Sequence, residues 1–134
     1  MTSSPSVANM AQKLFTETKM MQQEGRLSSF ECLLNYKHAL YISKHLGRRE
    51  DEAMIQIHIA KTMNEMGMID GAIYHCEDAV KLYKQEPVKE GKLTQDAETL
   101  LHALKFSGMV SEMVEKMTSK EDCIVLGPIQ RLFG

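Results

Sequence analysis

The sequence predicts an all-α fold, a solenoid of three helix pairs. Apolar residues recur at spacings of three and four from residue 7 to about residue 119, and no useful alternating strand pattern occurs before residue 120. The glycines that end helical runs, Gly25, Gly67 and Gly108, are separated by 42 and 41 residues. Such a period with two helices per unit is typical of α-solenoids, in which each helix pair buries its apolar face against the next.

Start and stop signals place the first two helices. The first covers residues 7–24, where apolar positions follow a helical period, and ends at Gly25. The second follows Ser28 or Ser29, either of which can cap it because Glu31 then lies in the first turn. These signals predict an antiparallel pair joined by a short polar turn.

The next helices follow in the same way. The second helix closes at Gly47, the third covers residues 50–66, and the fourth covers residues 70–85 and stops before a proline. A fifth over residues 94–106 and a shorter sixth over residues 109–120 complete the third pair. The expected organisation is therefore a flexible N-terminus at 1–6, helix pairs at about 7–46, 50–86 and 94–120, and an apolar tail at 121–134.

Composition limits the class of protein. With 134 residues and a net charge of −2, the chain has no clustered basic excess of the kind that nucleic acid attracts. Its first residues lack the pattern of a secretory signal, and no apolar run is long enough to span a membrane, so we expect neither. The chain has three cysteines at wide spacing, Cys32, Cys76 and Cys123. An odd number without a paired motif is typical of cysteines that stay reduced. We expect a soluble cytoplasmic protein that binds no nucleic acid.

The stretch IYHCEDA, residues 73–79, is the one place where chemically active groups crowd together. Adjacent side chains on a helix point about 100° apart, so His75 and Cys76 do not form a nucleophile and base pair. Cys76 instead falls on an apolar stripe with Ala72, Ala79, Val80 and Tyr83. No histidine spacing typical of a metal site, no phosphate loop and no nucleophile motif occurs. The sequence predicts a non-catalytic protein without metal or cofactor.

The central unit, EAMIQIHIAKTMNEMGMIDGAIYHCEDAVKLYKQ, resembles the tetratricopeptide repeat (TPR). Gly67 stands at the turn of that repeat, and Ala72, Cys76 and Ala79 stand at the small, aromatic and small positions of its second helix. The period of 41 to 42 residues is similar to that of the long-repeat variants in kinesin light chains, rapsyn and LGN/Pins proteins. The resemblance implies a right-handed solenoid whose first helices line a concave groove.

The same resemblance implies a set of groove residues. In the first unit they are Gln12, Phe15, Lys19, Gln22 and Gln23; in the second, Met54, Ile57, Lys61, Asn64 and Glu65; in the third, Gln95, Glu98, His102, Lys105 and Phe106. One register position carries Lys19, Lys61 and His102. A basic row beside apolar side chains suits a partner peptide with acidic and apolar residues. The alternative is that these cations form only a solvated helix face.

The tail leaves two alternatives open. Its apolar residues are Ile124, Leu126, Ile129, Leu132 and Phe133. They either cap the exposed flank of the third helix pair or form a free docking motif. We therefore expect a non-catalytic adaptor that binds an extended or helical segment of a partner protein in its concave groove. The alternative function is a structural assembly subunit that self-associates or docks through its end surfaces and tail.

Overall fold

Five helices make up the fold in the computed structural model, which describes residues 3–85 and 91–121. They are α1 (Ser3–Gln23), α2 (Ser29–His45), α3 (Arg49–Glu65), α4 (Ile69–Gln85) and α5 (Gly91–Glu121). No strand occurs in these ranges, so the all-α prediction is confirmed. Each helix packs chiefly on its neighbours in sequence, from α1 on α2 through to α4 on α5.

Three equivalent turns connect the first four helices. Gly25, Gly47 and Gly67 have φ angles of 70°, 68° and 78°, in the left-handed region where glycine avoids the Cβ clash. In the last of these turns the Gly67 amide donates to the carbonyl of Asn64, and the Met68 amide donates to that of Met63. The same pair of bonds closes the other two turns, so all three helices end in Schellman motifs.

The start of α2 follows the predicted capping signal. Ser28 is the N-cap, and its hydroxyl accepts a hydrogen bond from the Glu31 amide at 3.1 Å. The Glu31 carboxylate in turn accepts from the Ser28 amide at 3.0 Å, which completes a capping box. These bonds hold the pKa of Glu31 below its usual value.

The core runs through the helix stack as two clusters that share half-buried side chains. The larger contains buried residues of all five helices, among them Phe15, Tyr36, Ile59, Cys76 and Leu104. The smaller joins α3, α4 and α5 through Ala53, Ala79, Val80, Tyr83 and Ala97. The buried residues of α4 are Ala72, Cys76, Ala79, Val80 and Tyr83, which confirms the predicted stripe.

The third helix pair is where the prediction was wrong. Residues 91–121 form one continuous helix, so no turn interrupts the chain at Gly108 and no separate sixth helix follows. A Cβ built on Gly108 would lie 3.5 Å from Cγ2 of Ile69, at the start of α4. Gly108 is therefore a helical residue at a close helix contact, since glycine within a helix costs only about 1 kcal/mol and does not by itself end it.

The N-terminal segment 1–6 was expected to be flexible and separate from the first helix. Residues 3–6 of this segment belong to the first turns of α1, which begins at Ser3. Pro5 is compatible with that turn because the first amides of a helix have no intrahelical acceptor. Within the described ranges, no helix combines the length and hydropathy that crossing a membrane requires.

Candidate functional site

A cleft of about 300 Å³ lies between α1 and α3. It contains predicted groove residues from both helices: Lys19, Gln22 and Gln23 from α1, and Lys61 and Glu65 from α3. Two residues that were not predicted, His58 and Thr62, complete its lining. The cleft thus brings the first two units of the predicted groove together.

Two buried aromatic rings pack on His58, which lines the cleft. Phe15 is buried and meets the His58 ring edge to face, with ring centroids 4.9 Å apart and planes at 90°. Tyr36 packs on both, with centroids 5.7 Å from Phe15 and 5.8 Å from His58. Edge-to-face contacts of this kind favour a fixed arrangement of the rings. The His58 ring is therefore held in place from below.

A chain of hydrogen bonds fixes one wall. The Tyr36 hydroxyl donates to Gln22 Oε1 at 2.6 Å, and Gln22 Nε2 donates to Thr62 Oγ1 at 3.1 Å. The Thr62 hydroxyl then donates to the carbonyl of His58 at 2.8 Å. Three helices are joined by these bonds, and the Gln22 amide in the cleft has both of its ends engaged. The cleft is therefore preorganised on this side.

The surroundings of His58 favour its neutral form. Burial is the main reason that its pKa lies below the ordinary value, and the charges of Lys61 and Lys19 lower it further. Its Nδ1 lies 3.1 Å from the carbonyl oxygen of Met54, and a carbonyl only accepts, so Nδ1 carries the proton. Nε2 is then the ring's acceptor atom.

Two cations stand at the cleft. Lys61 is exposed and Lys19 half-buried, and within the described part of the chain neither ammonium takes part in an ion pair. Both residues line the same cleft as His58, and their charges lower the pKa of its ring. Glu65 is the one acid in the lining. The cleft combines two ammonium groups that form no ion pair with an imidazole acceptor and the fixed amide of Gln22.

Other predicted groove residues lie elsewhere. Phe15 is 5% exposed and belongs to the core, so it supports the cleft from below and does not face a partner. Met54 and Ile57 are half-buried and pack on the core. Asn64 is exposed near the end of α3 but does not line the cleft, and neither does Gln12 on α1.

The third unit does not extend this cleft. On α5, Glu98 pairs with Lys84 at 3.0 Å and Lys105 pairs with Glu77 at 3.4 Å, both on α4. His102 lies between them in sequence but is exposed on the outer side of α5, away from the buried Ala97 and Leu104. It is therefore absent from the cleft that holds the two lysines. Gln95 and Phe106 are exposed on α5 outside the cleft.

His75 and Cys76, although adjacent in sequence, have different hydrogen-bond partners on different helices. His75 Nδ1 lies 2.8 Å from Gln56 Oε1, while the Cys76 thiol donates to the carbonyl of Ala97 at 3.4 Å. Cys76 has no exposed surface, and burial raises its pKa to about 11, with a smaller contribution from the charge of Glu77. In the described part of the chain, no three His, Cys, Asp or Glu side chains come together as metal ligands.

The remaining predicted residues are those of the tail. Ile124, Leu126, Ile129, Leu132 and Phe133 lie outside the described residues, as does Cys123.

Comparison with known proteins adds no further site residues. No family model matches the chain, and neither a similar curated protein nor a similar solved structure was found.

Proposed function

We propose that this protein is a non-catalytic adaptor that binds an extended, acidic and apolar segment of a partner protein in the cleft between α1 and α3. The observation that carries the proposal is the pair of unpaired ammonium groups, Lys19 and Lys61, at one cleft. Ammonium groups that lack an internal carboxylate are available for carboxylates of a ligand, and such charge-assisted bonds are the stronger kind.

The rest of the lining suits a peptide. Gln23 is an exposed amide that can both donate to and accept from a peptide backbone, and Nε2 of His58 adds an acceptor. Gln22 and Thr62 are held by hydrogen bonds, which limits the ordering cost of binding. The cavity is large enough for one or two side chains of a bound segment.

The architecture in this proposal is TPR-like. Helices that pack on their sequence neighbours, three equivalent glycine turns and a small-residue stripe on α4 all support a solenoid of two helix pairs followed by α5. The proposed compartment is the cytoplasm, because Cys32 and Cys76 are buried free thiols.

Selection of peptides from a random library on the immobilised protein tests the proposal. We expect enrichment of Asp and Glu beside apolar residues, and we expect the selected peptides to bind a Lys19→Glu/Lys61→Glu variant much more weakly. A Lys13→Glu/Lys81→Glu variant has the same charge change at exposed lysines that do not line the cleft. Selected peptides that bind all three proteins equally would show that the cleft is not the binding site.

An assembly role is the second candidate, and the exposed apolar face of α5 favours it. Phe106 and Met117, for example, are 67% and 64% exposed. Exposed apolar surface of this kind is typical of association sites. Sedimentation velocity of the full chain over a range of concentrations, beside a chain that ends at Ser119, tests this role. A monomer at every concentration in both cases excludes it.

A further inference from the structure

The second half of α5 carries an apolar face without a partner among the described residues. Six side chains define this face, here called the α5 stripe: Phe106, Met109, Val110, Met113, Val114 and Met117. Each is between 42% and 67% exposed. Their spacings of three, one, three, one and three residues keep them on one side of the helix. Large apolar side chains in such a row are costly to leave in water.

The α5 stripe faces away from the rest of the fold. The residues through which α5 packs on its neighbours are Ala97, Leu104 and Gly108, which are buried or in contact with α4. At about 100° per residue these positions lie roughly opposite the stripe on the helix circumference. Helix α4 therefore cannot cover it, and a covering element must lie on the outer side of α5.

The extent of the stripe indicates a short covering element. On the same outer side, the first part of α5 is polar, with Gln95, Thr99 and His102 exposed. The apolar surface thus begins near Phe106 and ends at Met117, which is roughly 17 Å along the helix axis at 1.5 Å per residue. About five extended residues, or about eleven helical ones, match this length, whereas a long partner helix would extend over the polar part.

We propose that the chain's own segment 123–133 lies along the α5 stripe. This segment follows the end of α5 almost directly and contains Ile124, Val125, Leu126, Ile129, Leu132 and Phe133. Its Gly127-Pro128 pair cannot continue α5 as a helix and favours a change of chain direction. Ten extended residues span up to about 33 Å, so the segment can reach Phe106.

Tethering favours this occupant over a second copy of the chain. A segment joined directly to the helix that it covers has an effective concentration in the millimolar range, above that of a separate molecule at ordinary protein concentrations. The segment is also nearly uncharged, with Arg131 as its one ionic side chain. This docking is independent of the proposed cleft function, since the two surfaces share no residue.

Paramagnetic broadening in the full chain tests the docking. A nitroxide is attached at Leu132→Cys in a Cys123→Ser background, where Cys32 and Cys76 have no exposed surface and stay unlabelled. Methyl signals of Met109, Met113 and Met117 are expected to lose most of their intensity. Met10 and Met20 are exposed methionines of α1, and their signals serve as internal controls that should keep their intensity.

Two further samples distinguish a docked tail from a free tail that is close to α5 only because it is attached to it. A free tail would broaden Met117 most and Met109 least, and would be unaffected by changes to the stripe. A docked tail should lose its broadening at Met109 in a Val110→Asn/Val114→Asn variant and keep it in a Ser111→Asn control, since both sites are exposed and the fold should persist. Broadening unchanged by the stripe variant would overturn the proposal. So would broadening that occurs only between spin-labelled and unlabelled molecules, which would identify a second copy as the occupant.

Discussion

The Tyr36 hydroxyl donates a hydrogen bond of 2.6 Å to Gln22 Oε1 and thereby connects the core of the fold to the wall of the cleft. Tyr36 has no exposed surface, whereas Gln22 lines the cleft. Burial raises the pKa of Tyr36 to about 12, so its hydroxyl keeps the proton that it donates. Packing of α2 thus determines the position of a polar group on α1.

Replacing Tyr36 with Phe should destabilise the protein. The Gln22 carbonyl would lose its donor in a partly buried position, and a lost hydrogen bond of this kind costs about 1 kcal/mol of unfolding free energy. Urea denaturation followed by circular dichroism measures the change. Tyr83→Phe is a matched control, because Tyr83 is also buried but its hydroxyl has no hydrogen bond within the described residues. Equal losses in both variants would mean that the Gln22 bond contributes nothing.

Alanine at Gly108 should stabilise the protein, and alanine at Gly67 should destabilise it. Gly108 is helical, and an added Cβ would make ordinary contact with Ile69 at 3.5 Å, so we expect a gain of about 0.5 to 1 kcal/mol. Gly67 has a φ of 78°, where a Cβ costs about 1 kcal/mol or more. Thermal unfolding of both variants measures these changes. A loss at Gly108 would support a helix break there and contradict the continuous α5.

Acidification should weaken the fold in the range where histidine titrates. Burial is the main cause of the lowered pKa of both His58 and His75 in the folded protein. In the unfolded chain both titrate near about 6.5, so below that pH the unfolded state binds protons that the folded state does not. The free energy of unfolding should therefore fall as the pH decreases from 7.5 to 5.5.

Variants identify the source of this pH dependence. His58→Gln should reduce the slope of unfolding free energy against pH, because one buried imidazole no longer titrates. His38→Gln, at an exposed position on α2, should leave the slope unchanged. Urea titrations at a series of pH values measure the slopes. A slope that His58→Gln does not alter would mean that His58 protonates equally well in both states.

The Cys76 thiol should be unreactive in the folded protein. It has no exposed surface, donates to the Ala97 carbonyl and has a pKa of about 11. In a chain with Cys32→Ser and Cys123→Ser, its reaction with a disulfide reagent at pH 8 should be at least about a hundredfold slower than in denaturant, since the thiolate is the reacting form. Absorbance of the released thiolate follows the reaction. A rate close to that of the denatured chain would indicate an accessible, activated thiol.

Local signals were sufficient for most of the fold. The capping box at Ser28, the glycine turn at Gly67 and the buried Cys76 all depend on residues close in sequence, and all were predicted. The position of Gly108 inside a continuous helix was not predicted, because the sequence does not distinguish a glycine that ends a helix from one that lies against a neighbouring helix. The difference lies in its contact with Ile69, thirty-nine residues earlier, which only packing reveals.

The site residues were likewise predicted only in part. The repeat register predicted that Lys19 and Lys61 lie close together, and both line the cleft. His102 was placed with them by extending that register to α5, but α5 packs on its neighbours through Ala97 and Leu104, and His102 is exposed outside the cleft. His58 and Thr62 were missed, although they share a helix face with Lys61 and Glu65 at spacings of three, four and seven, and that spacing was the signal available.

A charge-swap experiment tests the central claim, that Lys19 and Lys61 hold acidic side chains of a partner. An acidic peptide obtained by selection and its counterpart with Lys in place of each Asp and Glu are titrated into wild type and the Lys19→Glu/Lys61→Glu variant, with fluorescence anisotropy as the readout. Wild type should prefer the acidic peptide by roughly tenfold or more, as charge-assisted bonds imply, and the variant should prefer the basic one. A variant that kept the preference for the acidic peptide would contradict the account.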